Sequence, residues 1–292
     1  MPLTLTERWE IPMNIKMIAD STCDLCPELL SRYNITLTPL YVIMDGKTYR
    51  DGVDIHPADI FRHVDNGGKL CSTSAVNVED YRQCFAQYAG DYDAVIQVTI
   101  GSKFSTCYQN ASIAASNFSN VYVVDSMNLS SGQGHLVVEA AQLAEQGMSA
   151  VEICSRLQEM RTRVEASFVM DQLAYMQKGG RCSSAMAFGA NLLKIKPCIE
   201  VKDGAMGVEE KYRGHFEKCI EKYVKDRLKD RKDLRLDRIF ITHSPTSPEA
   251  VTVAREAIAK YASFTEVYET NAGCTVSCHC GPNTLGILFI RK

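Results

Sequence analysis

Apolar and polar stretches alternate along this 292-residue chain in two distinct textures. In the first half, short apolar runs end in polar loops that open helical segments. Ile15–Ala19 runs into Asp20-Ser21-Thr22, and Pro27 then suits the first turn of a helix through Tyr33. Ile35–Met44 reads as one strand ending in the tight turn Asp45-Gly46. Ala94–Ile100 reads as a buried strand, after which Ser105 opens an amphipathic helix to about Asn117. Val121–Val124 leads through Asp125-Ser126 and a glycine-bearing loop to a helix from about Gly132 to Glu145. Strand, polar loop and helix in repetition predict a Rossmann-like parallel sheet flanked by helices.

The texture changes near Glu165. Ala166–Met170 reads as a strand and Gln172–Gln177 as a helix stopped by Gly179-Gly180. Ile195–Val201 and Met206–Lys211 flank Asp203-Gly204, a strong hairpin signal. A helix, a strand at Arg238–His243, a second helix and strands at Glu266–Glu269 and Thr284–Ile290 follow. This pattern predicts a C-terminal α/β domain with a mixed sheet, joined through a helix at 150–163. The expected division is an extension at 1–13, an N-terminal domain at 14–164 and a C-terminal domain at 165–292.

Three polar loops fall at the C-terminal ends of first-half strands: Asp20-Ser21-Thr22, Ser102 to Ser105, and Asp125-Ser126. In open parallel sheets ligands bind outside those strand ends, where helix N-termini favour anions. Each loop taken alone is explained by helix capping; the three together point to an anion site.

Composition narrows the field. Charged residues make up 23% and the net charge is −3, so nothing points to nucleic acid or to an anionic membrane surface. The basic run from Lys225 to Arg235 is interleaved with acids and reads as a solvated helix face. No signal-peptide pattern opens the chain, and the apolar run at Gly286–Ile290 is far too short for stable membrane insertion, so a soluble cytoplasmic protein is expected. There is no Gly-Lys-Ser/Thr phosphate loop, Gly132-Gln133-Gly134 lacks a third glycine, and no Gly-x-Ser-x-Gly elbow occurs.

The twelve cysteines offer competing chemistry. Cys84, Cys154, Cys198 and Cys219 sit in apolar patterns as reduced core residues. Cys23-x-x-Cys26 imitates a redox motif, but Pro27 follows the pair. Cys274, Cys278, His279 and Cys280 suggest a zinc site, yet in an extended segment adjacent side chains alternate direction. His279, ahead of Gly281-Pro282, reads as a turn residue. Lys178-Gly179-Gly180-Arg181 reads as a cationic helix end with a left-handed glycine.

The order and spacing of several short motifs resembles the DegV family from Ile15 to Ile290. They are Asp20-Ser21-Thr22-Cys23-Asp24-Leu25, Asp45-Gly46-Lys47-x-Tyr49-x-Asp51-Gly52-Val53-Asp54, Thr73-Ser74, Ser102-Lys103-Phe104-Ser105 and Val124-Asp125-Ser126. The second half adds Lys178-Gly179-Gly180-Arg181, Lys194-Ile195-Lys196-Pro197, Arg213-Gly214 and His279-x-Gly281-Pro282. The family's usual Gly-Thr-His-Thr-Gly-Pro stands here as Ser277-Cys278-His279-Cys280-Gly281-Pro282. The resemblance implies a two-domain protein that is not itself an enzyme and needs no cofactor or metal. It would hold a long-chain fatty acid in an apolar tunnel between the domains, its carboxylate at Thr73, Ser105 and His279. Arg181, Ser102 and Ser126 are further candidates for head-group or partner contact. The implied partner is the ATP-binding subunit of a fatty acid kinase, which makes an acyl phosphate for phospholipid synthesis. The alternatives are a stand-alone hydrolase or transferase using Ser105 and His279, and a zinc or redox protein built on Cys274–Cys280.

Overall fold

The computed structural model describes residues 13–186 and 195–292; residues 1–12 of the expected extension and Lys194 lie outside them. Along the chain run β1 (Ile15–Asp20), α1 (Pro27–Arg32), β2 (Thr36–Thr38), β3 (Tyr41–Met44), β4 (Lys47–Arg50), α2 (Pro57–Asp65), β5 (Ser72–Ser74) and α3 (Val78–Tyr88). Then come β6 (Ala94–Thr99), α4 (Cys107–Ala115), β7 (Val121–Asp125), α5 (Ser130–Glu145) and α6 (Ala150–Met160). β8 (Val164–Met170), α7 (Leu173–Gly179), α8 (Ser183–Met186), β9 (Ile195–Lys202), β10 (Ala205–Arg213) and α9 (Phe216–Leu228) follow. The chain ends with β11 (Leu234–His243), α10 (Pro248–Tyr261), β12 (Glu266–Asn271), α11 (Cys274–Cys280) and β13 (Thr284–Arg291).

Three sheets result among the described residues. The first is parallel and four-stranded in the order β2-β1-β6-β7, as the repeated strand-loop-helix pattern predicts. A six-stranded mixed sheet has the order β10-β9-β8-β13-β11-β12, and its β9–β10 hairpin turns at Asp203-Gly204. The third sheet, β4-β3-β5, is antiparallel and small. No helix among the described residues is long and apolar enough to cross a membrane.

Three sequence readings are corrected. Ile35–Met44 is two strands in different sheets. The parallel ladder ends at the pair Asp20–Thr38, Pro39 has no N–H to continue it, and the N–H of Leu40 turns instead to Ser21 Oγ at 3.1 Å. The run Lys225–Arg235 is not simply a solvated face: Arg227 is mostly buried against Glu165 and Glu200, at 3.0 and 3.1 Å. His279 does not sit in a turn; it lies in the last turn of α11.

The two large sheets share α5. All twelve residues from Ser130 to Ala141 are buried. The helix contacts β1 and β6 on one side and β8, β11 and β13 on the other. Its glycines permit that approach. A Cβ on Gly132 would come within 2.1 Å of Asn128 Oδ1, and one on Gly134 within 2.7 Å of the Cys23 carbonyl. Every polar side chain buried on α5 is engaged. Gln133 accepts from Thr22 and donates to the Val98 carbonyl, while Ser131 bonds Thr242. His135 donates from Nε2 to the Leu288 carbonyl, and burial pushes its pKa down to about 3, so the ring is neutral. Glu139 accepts from Arg238, only 2% exposed, at 2.8 Å and from Arg235.

A guanidinium buried as deeply as that of Arg238 is stable only while paired. Glu139→Ala should therefore lower unfolding free energy by about 3–5 kcal/mol, read from the urea midpoint. A loss below about 1 kcal/mol, the range of an exposed ion pair, would show that the pair does not bind the sheets together.

Candidate functional site

A cavity of about 910 Å³, counted to its open mouth, lies beside the first turn of α5. Both large sheets and the small one contribute to its wall, through Ile100 and Leu129, Phe168 and Leu288, and Thr73 and Ala75. Most of the lining is apolar, with Leu40, Phe104, Met176, Met206 and Val276 also contributing, and His243 joins it from the end of β11. Thr73, Ser105, Arg181 and His279 line the same cavity. Ser102 and Ser126 do not. Ser102 is exposed, and Ser126 is fully buried with its hydroxyl donating to the Asn128 carbonyl.

The expected anion site at the three polar strand ends is therefore built differently. Asp20 is completely buried and accepts from Tyr81, Gln97 and the N–H of Ile100; burial pushes its pKa up to about 6. Asp125 accepts from the N–H groups of Ser102 and Met127. Only the loop carrying Ser105 presents a side chain to the cavity. Ser105 Oγ accepts from the N–H of Cys107 and donates to the Cys107 thiol, a weak acceptor.

Thr73 lies on β5, opposite Val42 of β3. His279 comes from 206 residues further along, and its Nε2 lies 2.9 Å from Thr73 Oγ1. Two aspartates of the first half hold α11 in place. Asp24 accepts from the N–H of Gly273 at 2.8 Å, and Asp51 accepts from the N–H groups of Cys274 at 2.8 Å and Thr275 at 3.0 Å. These side chains accept from donors that a helix start leaves unpaired. Burial raises the pKa of Asp24 to about 8, against hydrogen bonds from Ser130 and Gly273 that lower it. At the other end, Gly281 has φ +72, and a Cβ there would meet the ring of Tyr175 at 2.6 Å.

Lys178-Gly179-Gly180-Arg181 now divides into separate tasks. Gly180, with φ +68, is the left-handed helix end that the sequence suggests. Gly179 is a seat for the imidazole: a Cβ would fall 2.2 Å from His279 Nδ1. Arg181 donates to the carbonyls of Gly179 and Phe104 while its side chain also lines the cavity. Burial, and then the Arg181 charge, push the His279 pKa down to about 4. Among the described residues, Nδ1 is buried without a hydrogen-bond partner.

The cysteines adopt plain roles for the most part. All twelve are free. Cys23 is fully buried and its thiol is pushed well up, which disarms the Cys23-x-x-Cys26 pair. The extended geometry assumed for Cys278–Cys280 is wrong, because these residues are helical. They divide between environments: Cys278 lies in a cluster with Cys71 and Cys274, His279 faces the cavity, and Cys280 lies in a cluster with Met170 and Ile199 while also bordering the cavity. Among the described residues no group of three or more His, Cys, Asp or Glu side chains could hold a metal ion.

Gly179 is helical, so alanine is tolerated by its backbone and acts only on the ring. The folded His279 pKa lies below the ~6.5 of a free imidazole. The stability this ring contributes is thus full above pH ~6.5 and is lost as pH falls through about 4. In Gly179→Ala the displaced ring should titrate closer to the free value, followed by NMR of the imidazole. A titration still centred near the wild-type position would show that Gly179 does not seat it.

With the geometry in hand, comparison with known proteins is direct. A DegV domain-containing protein of Clostridium acetobutylicum is 33% identical over 280 residues, covering 95% of this chain and 99% of its own. The fold matches a DegV family protein from Thermus thermophilus, described by its fatty acid binding, with a TM-score of 0.87 at 30% identity. That match covers 96% of this chain and 100% of the other. It also matches a stearic-acid-binding protein from Eubacterium ventriosum with a TM-score of 0.82 at 26% identity, over 95% and 98% of the two chains. A family model described as an uncharacterised protein of the DegV family spans residues 14–292, and the chain belongs to the DegV family.

Proposed function

We propose that this chain binds one long-chain fatty acid, with the carboxylate at Thr73, Ser105 and His279 and the tail along the apolar wall from Phe104 and Met206 to Leu288. The observation that carries the reading is a mainly apolar cavity with hydroxyls, two imidazoles (His243 and His279) and one arginine among its lining residues. The Thermus thermophilus and Eubacterium ventriosum proteins, which share the fold, are fatty-acid binders by description. A division of the chain at 164/165 fits this reading, since residues on both sides of it line the cavity.

The energetics separate the two ends of the ligand. Each buried CH₂ contributes roughly 0.8 kcal/mol, so the tail supplies most of the affinity. The head contacts set register and orientation. Neutral His279 donates from Nε2 to Thr73 Oγ1, which leaves Nδ1 as a bare lone pair against Gly179 rather than an unmatched N–H. Thr73 is then free to turn its own proton to the carboxylate. Ser105 releases only a weak bond to a thiol in doing the same.

The chain serves in this reading as a binding subunit. It presents the carboxylate at the cavity mouth to a separate ATP-dependent kinase that forms an acyl phosphate. Arg181 at the rim supplies positive charge where the phosphoryl group would arrive. A hydrolase built on Ser105 and His279 fits less well, because the imidazole is committed to Thr73 and Gly179 rather than aligned on a serine.

Three measurements test the reading. Native mass spectrometry of the purified protein should reveal a mass increase matching one fatty acid; bound zinc or an empty protein unable to take up fatty acid would overturn it. Ser105→Ala and Thr73→Ala should each weaken binding of a fluorescent fatty acid by about 1.5–3 kcal/mol, with the fold intact, and unchanged affinity in both would move the carboxylate elsewhere. With a partner kinase and ATP, His279→Ala should lower acyl-phosphate formation by a larger factor than it lowers binding. Equal factors would confine His279 to the head-group grip.

A further inference from the structure

The start of α11 is held by two carboxyl groups that stand side by side. Asp24 Oδ1 accepts from the N–H of Gly273, and Asp51 accepts from the next two N–H groups, those of Cys274 and Thr275. A Cβ on Gly273 would lie 3.1 Å from Asp24 Oδ1 and 3.4 Å from Asp51 Oδ1, so the two side chains flank one Cα. Both residues are buried. Each also meets a hydroxyl, Ser130 for Asp24 and Ser21 for Asp51, and among the described residues neither forms an ion pair with Lys, Arg or His. We propose that Asp24 is a pH-operated latch: it holds α11 as a neutral carboxylic acid, and loss of its proton frees the start of that helix and opens the cavity wall the helix carries.

The contacts decide which of the two groups keeps the proton. Asp51 accepts three hydrogen bonds, two from N–H groups and one from Ser21 Oγ at 3.2 Å, and together these balance a charge. Asp24 accepts one N–H bond only, and its second oxygen meets the Ser130 hydroxyl, which serves a carboxylic O–H equally well as acceptor. Two adjacent buried carboxylates without a cation cannot both ionise at low cost. Burial first, and then the charge of Asp51, hold the Asp24 carboxyl up at about 8 against the hydrogen bonds from Ser130 and Gly273. The thiols facing this corner, Cys23 on the loop of Asp24 and Cys274 and Cys280 on α11, are pushed up by burial and stay neutral. Asp20 has its own donors in Tyr81, Gln97 and Ile100, Asp59 of α2 faces Cys274, and His279 at the far end of α11 is already neutral.

The helix so held contributes Thr275, Val276, His279 and Cys280 to the cavity lining. Asp24 meets its start and Thr73 meets its last turn, a separation of only ~10 Å for seven residues. Once the start swings away, the Asp24 carboxyl enters water, where it ionises near ~3.9 and gives its proton to solvent. The closed state therefore binds a proton that the open state has lost. Opening is favoured by up to about tenfold per pH unit as pH rises toward 8, and the ratio is level above that, where both states are ionised. The stability contributed by the latch is thus greatest in acid and is lost as pH climbs to about 8. The effect on ligand exchange rests on the fatty-acid reading; the state of Asp24 and the opening of α11 do not.

Asp24→Asn is the diagnostic variant. Asparagine tolerates the left-handed backbone at this position, φ 47, and offers a carbonyl oxygen to Gly273 and an uncharged group to Ser130 at every pH. The full chain is followed from pH ~6 to ~9, a range that spans the closed-state transition. By NMR the Asp24 carboxyl carbon of the wild type should be that of a protonated acid at the lower limit and titrate near 8. A carboxylate shift already present at the lower limit would overturn the proposal, and this reading needs no variant to fold. Amide exchange across Cys274–Cys280, compared at each pH with Asp24→Asn, should become several-fold faster in the wild type as pH rises; equal rates in the two proteins would overturn the latch. Release of cis-parinaric acid should accelerate over the same range in the wild type and stay level in the variant, and one shared pH dependence would sever the latch from the cavity. A protein that takes up no cis-parinaric acid at any pH would instead count against the fatty-acid reading, with the carboxyl titration and amide exchange still deciding the latch.

Discussion

The burial of α5 between two sheets is the constraint from which the remaining architecture follows. A helix with solvent on neither side has nowhere to discharge polar side chains, so each must find a partner in one sheet or the other. Gln133 reaches the parallel sheet, and Ser131, His135 and Glu139 reach the mixed one. The same residues that satisfy the helix therefore fix the relative position of the sheets. The cavity lies against the start of this helix, with Leu129 and Ser130 in its wall, so its width is inherited from a contact far more rigid than any loop.

Much of the architecture was legible in residue pattern because it rests on local signals. Alternation of apolar runs with capping residues marked β1, β6, β7 and their helices, and Asp203-Gly204 marked the β9–β10 hairpin. What was not legible depended on partners distant in sequence. Cys-Thr-Val-Ser-Cys-His-Cys contains no strong helix former, and α11 forms because Asp24 and Asp51, more than 200 residues earlier, cap it. Pro39 was in plain view as a ladder breaker and was the available sign that Ile35–Met44 is two strands. Thr73 and His279 came from family resemblance rather than from pattern, whereas Ser105 also lay in one of the three polar loops that pattern singled out. Of the polar strand ends that pattern singled out, those carrying Asp20 and Ser126 proved to be internal, buried and matched, while the loop with Ser105 borders the cavity.

The Thr73–His279 corner illustrates how one small residue can set the protonation of a larger one. The fold keeps His279 neutral by removing it from water, and it can do so only because Gly179 leaves room for the ring to sink. The glycine pair in this segment would pass for a simple helix stop. Only Gly180 serves that purpose, while Gly179 controls the electrostatics of a side chain a hundred residues away.

The capping of α11 by residues near the opposite end of the chain also bears on the order in which the molecule assembles. Asp24 and Asp51 leave the ribosome long before the segment they hold, and Thr73 waits equally long for His279. Contacts of such sequence separation close late, since loop-closure entropy must be overcome before they contribute. The parallel sheet can form from early, nearby segments. The Thr73–His279 corner cannot exist until the segment Cys274–Cys280 has emerged, so a nascent chain carries the scaffold of the cavity without the helix that completes it.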